Sequence, residues 1–139
     1  MMTDELEGGC FCGAIRYTVT SKPRLKAQCH CRACQYFSGG GPNYYMLVSP
    51  ESLTLSGDAP GTYRNPDKPD AVTRMFCKTC GTHLTTERPG LKERVLKVGT
   101  LDDPSAFRGP KIAIFCEEKQ DWHVIPEGLP TFDTLPSNT

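Results

Sequence analysis

The sequence lacks an excess of either charge. Its 139 residues include 16 lysines and arginines and 16 aspartates and glutamates, so the formal net charge is zero. Proteins that bind nucleic acids or anionic membranes usually carry a surplus of positive charge, because phosphate groups attract it. We therefore expect neither a nucleic-acid partner nor a membrane partner.

The sequence also lacks an apolar stretch long enough to cross a bilayer. Residues 1–5, with the sequence MMTDE, are acidic where an export signal has basic residues followed by an apolar segment. These features predict a cytoplasmic protein. In that reducing compartment the eight cysteines are more readily metal ligands than disulfides.

Apolar residues are scarce, at 37% of the chain, while 13 glycines and 12 prolines are present. The sequence shows no long helical periodicity and no internal repeat, whereas short alternating stretches such as residues 14–20 are typical of strands. We predict one mainly-β domain over residues 6–132, with a short helical turn at residues 32–37. Residues 1–5 and 133–139 are expected to be disordered tails. Bound metal would help so small a core reach stability.

Seven of the eight cysteines form three groups in the sequence, and a glycine directly follows the second cysteine of the first and the third group. Glycine at that position permits a tight turn that points backbone N–H groups at a thiolate. The first and third groups together predict one closed structural zinc site, with the ligands Cys10, Cys12, Cys77 and Cys80. This site would join two distant segments of the chain and contribute folding free energy directly.

The middle group consists of Cys29, Cys31 and Cys34. Three cysteines so close in sequence can bind one Zn²⁺ and leave a tetrahedral ion one ligand short, which is a feature of catalytic zinc sites. The alternative is a closed site whose fourth ligand is His30, His83 or an aspartate, although a histidine between two ligands of an extended segment would point away from them. Three thiolates make zinc a weak Lewis acid, which suits the binding of a substrate thiolate better than the activation of water.

The remaining candidates have simpler interpretations. Cys116 alternates with apolar residues on a predicted strand, so we expect a packed or half-exposed thiol. We expect His83 to form hydrogen bonds near the zinc loop and the single tryptophan, Trp122, to lie in the core. One of Tyr44 and Tyr45 should face the core, and the other could face the three-cysteine site.

The motifs G-C-F-C-G at residues 9–13, C-H-C-R-A-C at 29–34 and F-C-K-T-C-G at 76–81 resemble those of the glutathione-dependent formaldehyde-activating enzyme (GFA) family, also called the CENP-V/GFA domain. The resemblance extends from about residue 6 to residue 132, and it includes G-T-L-D-D-P-S-A-F and the late W-H-V-I-P-E-G-L-P-T-F segment. It implies an Mss4-like fold of small twisted antiparallel sheets. It also implies two zinc ions per chain. The ligands of the structural ion would be Cys10, Cys12, Cys77 and Cys80, and the ligands of the catalytic ion would be Cys29, Cys31 and Cys34.

The resemblance further implies a carbon–sulfur lyase that joins glutathione to formaldehyde as S-hydroxymethylglutathione. Our leading hypothesis is therefore a zinc-dependent lyase that acts on the thiol adduct of a small electrophile, with glutathione as a possible co-substrate. One alternative is a non-catalytic zinc module that binds a protein partner. Another is a redox sensor that releases zinc from the three-cysteine site on oxidation. The sequence leaves the oligomeric state open.

Overall fold

The computed structural model of the protein describes residues 5–136, so residues 1–4 and 137–139 of the predicted tails lie outside it. The described chain contains ten strands: β1 (Leu6–Gly9), β2 (Ile15–Val19), β3 (Lys26–Cys29), β4 (Asn43–Val48), β5 (Leu53–Gly57), β6 (Gly61–Arg64), β7 (Thr73–Phe76), β8 (His83–Glu87), β9 (Arg94–Lys97) and β10 (Ile112–Ile114). The helix α1 spans Arg32–Ser38, and short 3-10 helices span Pro50–Ser52, Val98–Thr100, Pro104–Phe107 and Cys116–Glu118. The predicted mainly-β class and the helical turn after the middle cysteine group are confirmed.

The strands form two sheets. The smaller sheet has the order β1-β2-β5, and the larger one has the order β10-β3-β4-β9-β8-β7-β6. Neighbouring strands are antiparallel, except that β10 runs parallel to β3. The larger sheet is therefore mixed, because the chain returns to the far side of β3 after completing the opposite edge.

The centre of the larger sheet is buried on both faces, as the sequence of β4 illustrates. Met46 and Val48 pack into a core cluster shared with the smaller sheet, whereas Tyr45 and Leu47 belong to a second cluster on the opposite face. Successive side chains of a strand point to opposite faces, so an unbroken apolar run satisfies both clusters.

The two core clusters place the two cysteine sets apart. The first cluster includes Cys10 and Cys77 together with residues of β2, β8 and β9. The second cluster includes Cys29 and Cys34 together with residues of β4, β9 and β10. The larger sheet thus separates the four-cysteine set from the three-cysteine set.

Local signals in the sequence define the ends of α1. The Sγ atom of Cys31 accepts a hydrogen bond from the backbone N–H of Cys34 at 3.2 Å, so a cysteine occupies the N-cap position. At the other end Gly39 adopts a left-handed conformation with φ of 87°, and its N–H donates to the carbonyl of Gln35. The helix is short because a capping cysteine and a glycine lie only eight positions apart.

The C-terminal segment lies along β10. The carbonyl of Ala113 accepts a hydrogen bond from the N–H of Phe132 at 2.9 Å, and the carbonyl of Thr134 accepts one from the N–H of Phe115 at 3.0 Å. These contacts continue two residues beyond the predicted domain boundary at residue 132. The helices found between residues 5 and 136 are all too short and too polar to cross a membrane.

Candidate metal centres and the adjoining cavity

Four cysteines from two loops meet at one end of the first core cluster. Cys10 and Cys12 lie in the turn between β1 and β2, and Cys77 and Cys80 lie in the turn between β7 and β8. The four Sγ atoms all lie within 4.8 Å of one another. Cys12 is 3.6 Å from Cys10 and 3.7 Å from Cys77, measured between Sγ atoms. The four sulfur atoms could hold one metal ion.

Backbone N–H groups point at the sulfur atoms of both turns. The Sγ atom of Cys10 accepts from the N–H of Ile15 at 3.2 Å, and the Sγ atom of Cys77 accepts from the N–H groups of Thr79 and Cys80 at 3.4 and 3.5 Å. These donors stabilise negative charge on sulfur.

The glycines that follow the second cysteine of each turn adopt the left-handed conformation. Gly13 has φ of 84° and Gly81 has φ of 81°. Side chains with a Cβ atom rarely adopt that conformation, so glycine allows both turns to close.

The three-cysteine set lies on the opposite face of the larger sheet. Cys29 is the last residue of β3, Cys31 is the N-cap of α1, and Cys34 lies in the first turn of that helix. Their Sγ atoms are all within 4.8 Å of one another, and those of Cys31 and Cys34 are 2.9 Å apart. This distance is well beyond the roughly 2.05 Å of a disulfide bond. The three sulfur atoms could hold a second metal ion.

The pKa values of the three thiols are shifted in different directions. Hydrogen bonding with Cys29 and Cys34 lowers the pKa of Cys31. Hydrogen bonding with Cys31, followed by that with Cys34 and by burial, raises the pKa of Cys29. The backbone N–H of Cys34, which donates to the Sγ atom of Cys31, also lowers the pKa of Cys31.

No histidine or carboxylate joins the three sulfur atoms within residues 5–136. His30 is fully buried and faces another part of the fold, where its Nδ1 lies 3.0 Å from Nδ1 of His123. His83 packs against the rings of Phe37 and Phe76, and its buried Nδ1 has no hydrogen-bond partner. The side-chain hydrogen bond predicted for His83 is thus wrong, because its ring packs among aromatic groups that offer no hydrogen-bond acceptor.

A buried hydrogen-bond network holds the loop that carries the three cysteines. The Nε2 amide of Gln28 donates to Nε2 of His30, so Nδ1 of His30 carries the proton and donates to Nδ1 of His123. Nε2 of His123 then donates to the carbonyl of Gly40 at 3.3 Å. Burial lowers the pKa of His30, which keeps its ring neutral as this arrangement requires. The amide of Gln35 donates to the carbonyl of His30 at 2.9 Å.

A cavity of about 670 Å³ lies beside the three-cysteine set, within the range of roughly 300–1,000 Å³ typical of small-molecule sites. One face of the larger sheet forms the floor of the cavity. The strand register places on this face six residues that line the cavity: Cys29, Tyr45, Arg74, Thr86, Val95 and Lys97. Cys34 and Phe37 contribute from α1, and Phe115 and Glu118 contribute from the chain after β10. The three sulfur atoms thus adjoin a space that could hold a small molecule.

Four cationic side chains line the cavity. Arg74 contributes from β7, Lys97 from β9, Arg88 from the residue after β8, and Lys68 from the loop between β6 and β7. Burial lowers the pKa of Lys97, while the neighbouring thiols oppose that shift. Positive charge close to the sulfur atoms favours anionic ligands and thiolates.

The structure places the aromatic residues and the eighth cysteine singled out in the sequence. Trp122 is 72% exposed, so its prediction as a core residue is wrong; the adjacent His123 is buried instead. Tyr45 faces the second core cluster and the cavity, whereas Tyr44 packs edge-on against Phe107 on the other face. Cys116 is half-buried and belongs to neither cysteine cluster, as expected.

The cationic residues of the cavity were not predicted from the sequence. Arg74 and Lys97 each occur within a short strand that is otherwise partly apolar, which was the available signal. That signal did not show which face of the sheet they occupy, because the face depends on pairing between strands.

Comparisons with known proteins point to one family. The family model described as glutathione-dependent formaldehyde-activating enzyme matches residues 5–118. A Halomonas elongata protein named "Putative glutathione-dependent formaldehyde-activating enzyme" is 32% identical over 124 residues, which cover 84% of this chain and 78% of that protein. An uncharacterized lyase of Schizosaccharomyces pombe is 30% identical over 81 residues, covering 58% of this chain and 56% of the relative.

A solved structure also resembles the fold. The crystal structure of a Rhodobacter sphaeroides protein superposes with a TM-score of 0.56 and 17% identity, covering 91% of this chain and 99% of the other. At this identity the likeness supports the arrangement of strands alone.

Proposed function

Because the chain belongs to the glutathione-dependent formaldehyde-activating enzyme family, we propose that it is a zinc-dependent carbon–sulfur lyase acting on the thiol adduct of a small electrophile. S-hydroxymethylglutathione, the adduct of glutathione and formaldehyde, is the substrate we put first. The observation that carries the proposal is the three-cysteine set at the wall of a cavity of about 670 Å³.

Both cysteine sets suit zinc in their chemistry. Zinc–sulfur bonds of about 2.3 Å in a tetrahedron imply sulfur–sulfur separations of about 3.8 Å. The separations of 3.6 and 3.7 Å around Cys12 are close to that value. The three-cysteine set offers three soft donors, with Cys31 and Cys34 closer together than the tetrahedral edge. We propose Cys10, Cys12, Cys77 and Cys80 as structural ligands and Cys29, Cys31 and Cys34 as ligands of the catalytic ion.

Zinc on the three-cysteine set would supply an open coordination position that holds a thiolate sulfur beside the electrophile. In the addition direction, the sulfur of the thiol bonds to the carbonyl carbon as the carbon–oxygen π bond opens. The thiol releases its proton to solvent when it binds as a thiolate, and the alkoxide oxygen takes a proton back from solvent, so atoms and charge balance, and the lyase direction reverses each step.

The residues of the cavity have separate tasks in this reaction. The ammonium of Lys97 places positive charge where oxygen becomes negative, and such charge is effective in a site with little water. Tyr45 and Val95 form the apolar floor that limits water around the sulfur. The network from Gln28 to His123 holds the loop that carries Cys29 and Cys31, because it fixes the buried ring of His30 between them.

A protein-binding module without catalysis is the weaker alternative, because such a module would not need a cavity beside Cys29. The hypothesis of a redox sensor requires loss of metal on oxidation, and the experiment below measures metal content as well as turnover. Free thiols at both sets also suit a reducing compartment, so we retain the proposal of a cytoplasmic location.

The test compares Cys31→Ser with the matched control Cys116→Ser, since Cys116 lies outside both sets. Zinc per chain is measured by mass spectrometry, and exchange between formaldehyde and S-hydroxymethylglutathione is measured by NMR with ¹³C-labelled formaldehyde. The proposal predicts about two zinc ions in the wild type, with accelerated exchange that Cys31→Ser abolishes and Cys116→Ser retains. Wild-type protein that leaves the exchange rate unchanged, or full activity in Cys31→Ser, would count against the proposal.

A further inference from the structure

Arg74 is a charged side chain buried in the cavity wall without a charged partner. It is 8% exposed, and its guanidinium carbon lies 4.0 Å from the centre of the Phe37 ring. Across residues 5–136 its guanidinium makes neither a hydrogen bond nor an ion pair. A planar cation with five N–H donors thus faces the cavity with its donors unused.

Two polar groups on the same face of the sheet as Arg74 also lack a partner among the described residues. Its cross-strand neighbour on β8 is Thr86, whose buried Oγ1 has no hydrogen-bond partner among the described residues. Lys97 lines the same face of the sheet from β9, and its ammonium forms no ion pair within residues 5–136. Two cations and a hydroxyl group without a partner therefore lie on the cavity face of the sheet.

The acidic residues of the cavity do not neutralise this group. Asp70 and Glu118 line the cavity, but neither forms an ion pair with Arg74. Glu118 instead accepts a hydrogen bond from the backbone N–H of Arg32 at 2.8 Å through Oε1. The positive charge of Arg74 is thus left for an anion that enters from solvent or for the nearby thiolates.

A buried guanidinium without an anion is unfavourable, because it has lost water and gained no compensating charge. Its planar fork matches a carboxylate, which can accept two parallel N–H bonds. The nearby three-cysteine set is a competing explanation, since Arg74 lowers the pKa of Cys31 as the last of several causes. The two explanations differ in what loss of Arg74 would affect: ligand affinity or metal retention.

We propose that Arg74, beside Thr86 on the cavity face of the sheet, forms a subsite that binds a carboxylate of the thiol substrate, so that the cavity selects carboxylate-bearing thiols over neutral ones. The identity of this ligand as the lyase substrate rests on the proposed function. The existence of the anion subsite does not depend on that reaction, because it follows from the unpaired charge.

The test uses S-methylglutathione, which keeps both carboxylates of glutathione but has no ionisable thiol. Binding is measured by isothermal titration calorimetry to the zinc-replete wild type, Arg74→Gln, Arg74→Lys and Arg94→Gln. The last variant is the matched control, because Arg94 pairs with Glu87 and does not line the cavity. The diethyl ester of S-methylglutathione, in which both carboxylates are blocked, serves as the control ligand.

We expect Arg74→Gln to weaken binding of S-methylglutathione by about 10-fold to 100-fold, as for other hydrogen bonds to charged groups. Arg74→Lys should retain part of the affinity, and Arg94→Gln should bind like the wild type. The diethyl ester should bind the wild type weakly and be insensitive to Arg74→Gln.

Equal affinity of the wild type and Arg74→Gln for S-methylglutathione would overturn the proposal, as would a wild type that does not bind it. Loss of zinc from Arg74→Gln with unchanged ligand affinity would assign Arg74 to the thiolates and would also overturn it. A protein that binds S-methylglutathione through Arg74 but does not accelerate the formaldehyde reaction would retain the subsite while refuting the lyase. The two failures are therefore distinguishable.

Discussion

Replacement of one cysteine in each set should affect stability very differently. The four-cysteine set joins loops that are distant in sequence, since Cys12 and Cys77 are 65 positions apart. Loop-closure entropy for a cross-link of that span corresponds to about 4 kcal/mol. We choose Cys80→Ser because Cys80 is exposed, so the substitution does not place a hydroxyl group in the core.

The three-cysteine set closes a much shorter loop, from Cys29 to Cys34. The same entropy expression gives about 2 kcal/mol for a loop of roughly five residues. Serine is also a favoured N-cap residue, so Cys31→Ser can keep the hydrogen bond from the N–H of Cys34 and offset part of that cost. The expected loss for Cys31→Ser is therefore at most about half of that for Cys80→Ser.

The assay is thermal unfolding followed by circular dichroism, in buffer without chelator or added zinc. For a chain of this length we expect Tm to fall by roughly 15 °C in Cys80→Ser and by less than about 7 °C in Cys31→Ser. Cys116→Ser should unfold close to the wild type. Equal losses in Cys80→Ser and Cys31→Ser would refute the reasoning that the four-cysteine set is the main cross-link.

Three further predictions concern local geometry and ionisation. Gly13→Ala should lose about 1–2 kcal/mol of unfolding free energy in urea, because Gly13 has φ of 84°. The control Gly99→Ala should lose much less, because that position has open space and no positive φ. His123→Ala should lose about 1–3 kcal/mol, since Nδ1 of His30 would be buried without its partner, and an unchanged urea midpoint would contradict the network. Burial raises the pKa of Tyr17 to about 12. Between pH 10 and 12 the phenol therefore ionises in the unfolded chain before it does so in the folded chain, and the free energy of unfolding should decline over this range. Tyr17→Phe should flatten that decline in denaturation measured across this pH range.

Local patterns in the sequence predicted much of the fold. The strand alternation, the short helical turn after the middle cysteine group and the glycines after Cys12 and Cys80 all depend on a few residues, so they can be recognised without knowing what packs nearby. The same local chemistry divided the seven cysteines into sets of four and three, the two groups whose sulfur atoms lie together in the structure. The catalytic and structural roles of these sets remain predictions.

Features that depend on distant pairing could not be predicted in this way. Arg74 reaches the cavity because β7 pairs with β8 in a register that places it beside Thr86, and Lys97 does so because β9 pairs with β4 beside Tyr45. A shift of one residue in either pairing would turn these cations to the other face. The exposure of Trp122 likewise depends on how the chain after β10 crosses the loop at Gly40, where the adjacent histidine makes the buried contact.

The central claim is that the three-cysteine set binds a metal ion with one position open to a thiol. The most direct test is zinc K-edge X-ray absorption of the two-zinc protein, recorded with and without glutathione. Ligand sets of four and three cysteines predict an average of about 3.5 sulfur ligands per zinc, rising to about 4 when a thiol binds. A protein with one zinc ion, or an average sulfur number that glutathione does not change, would contradict the account.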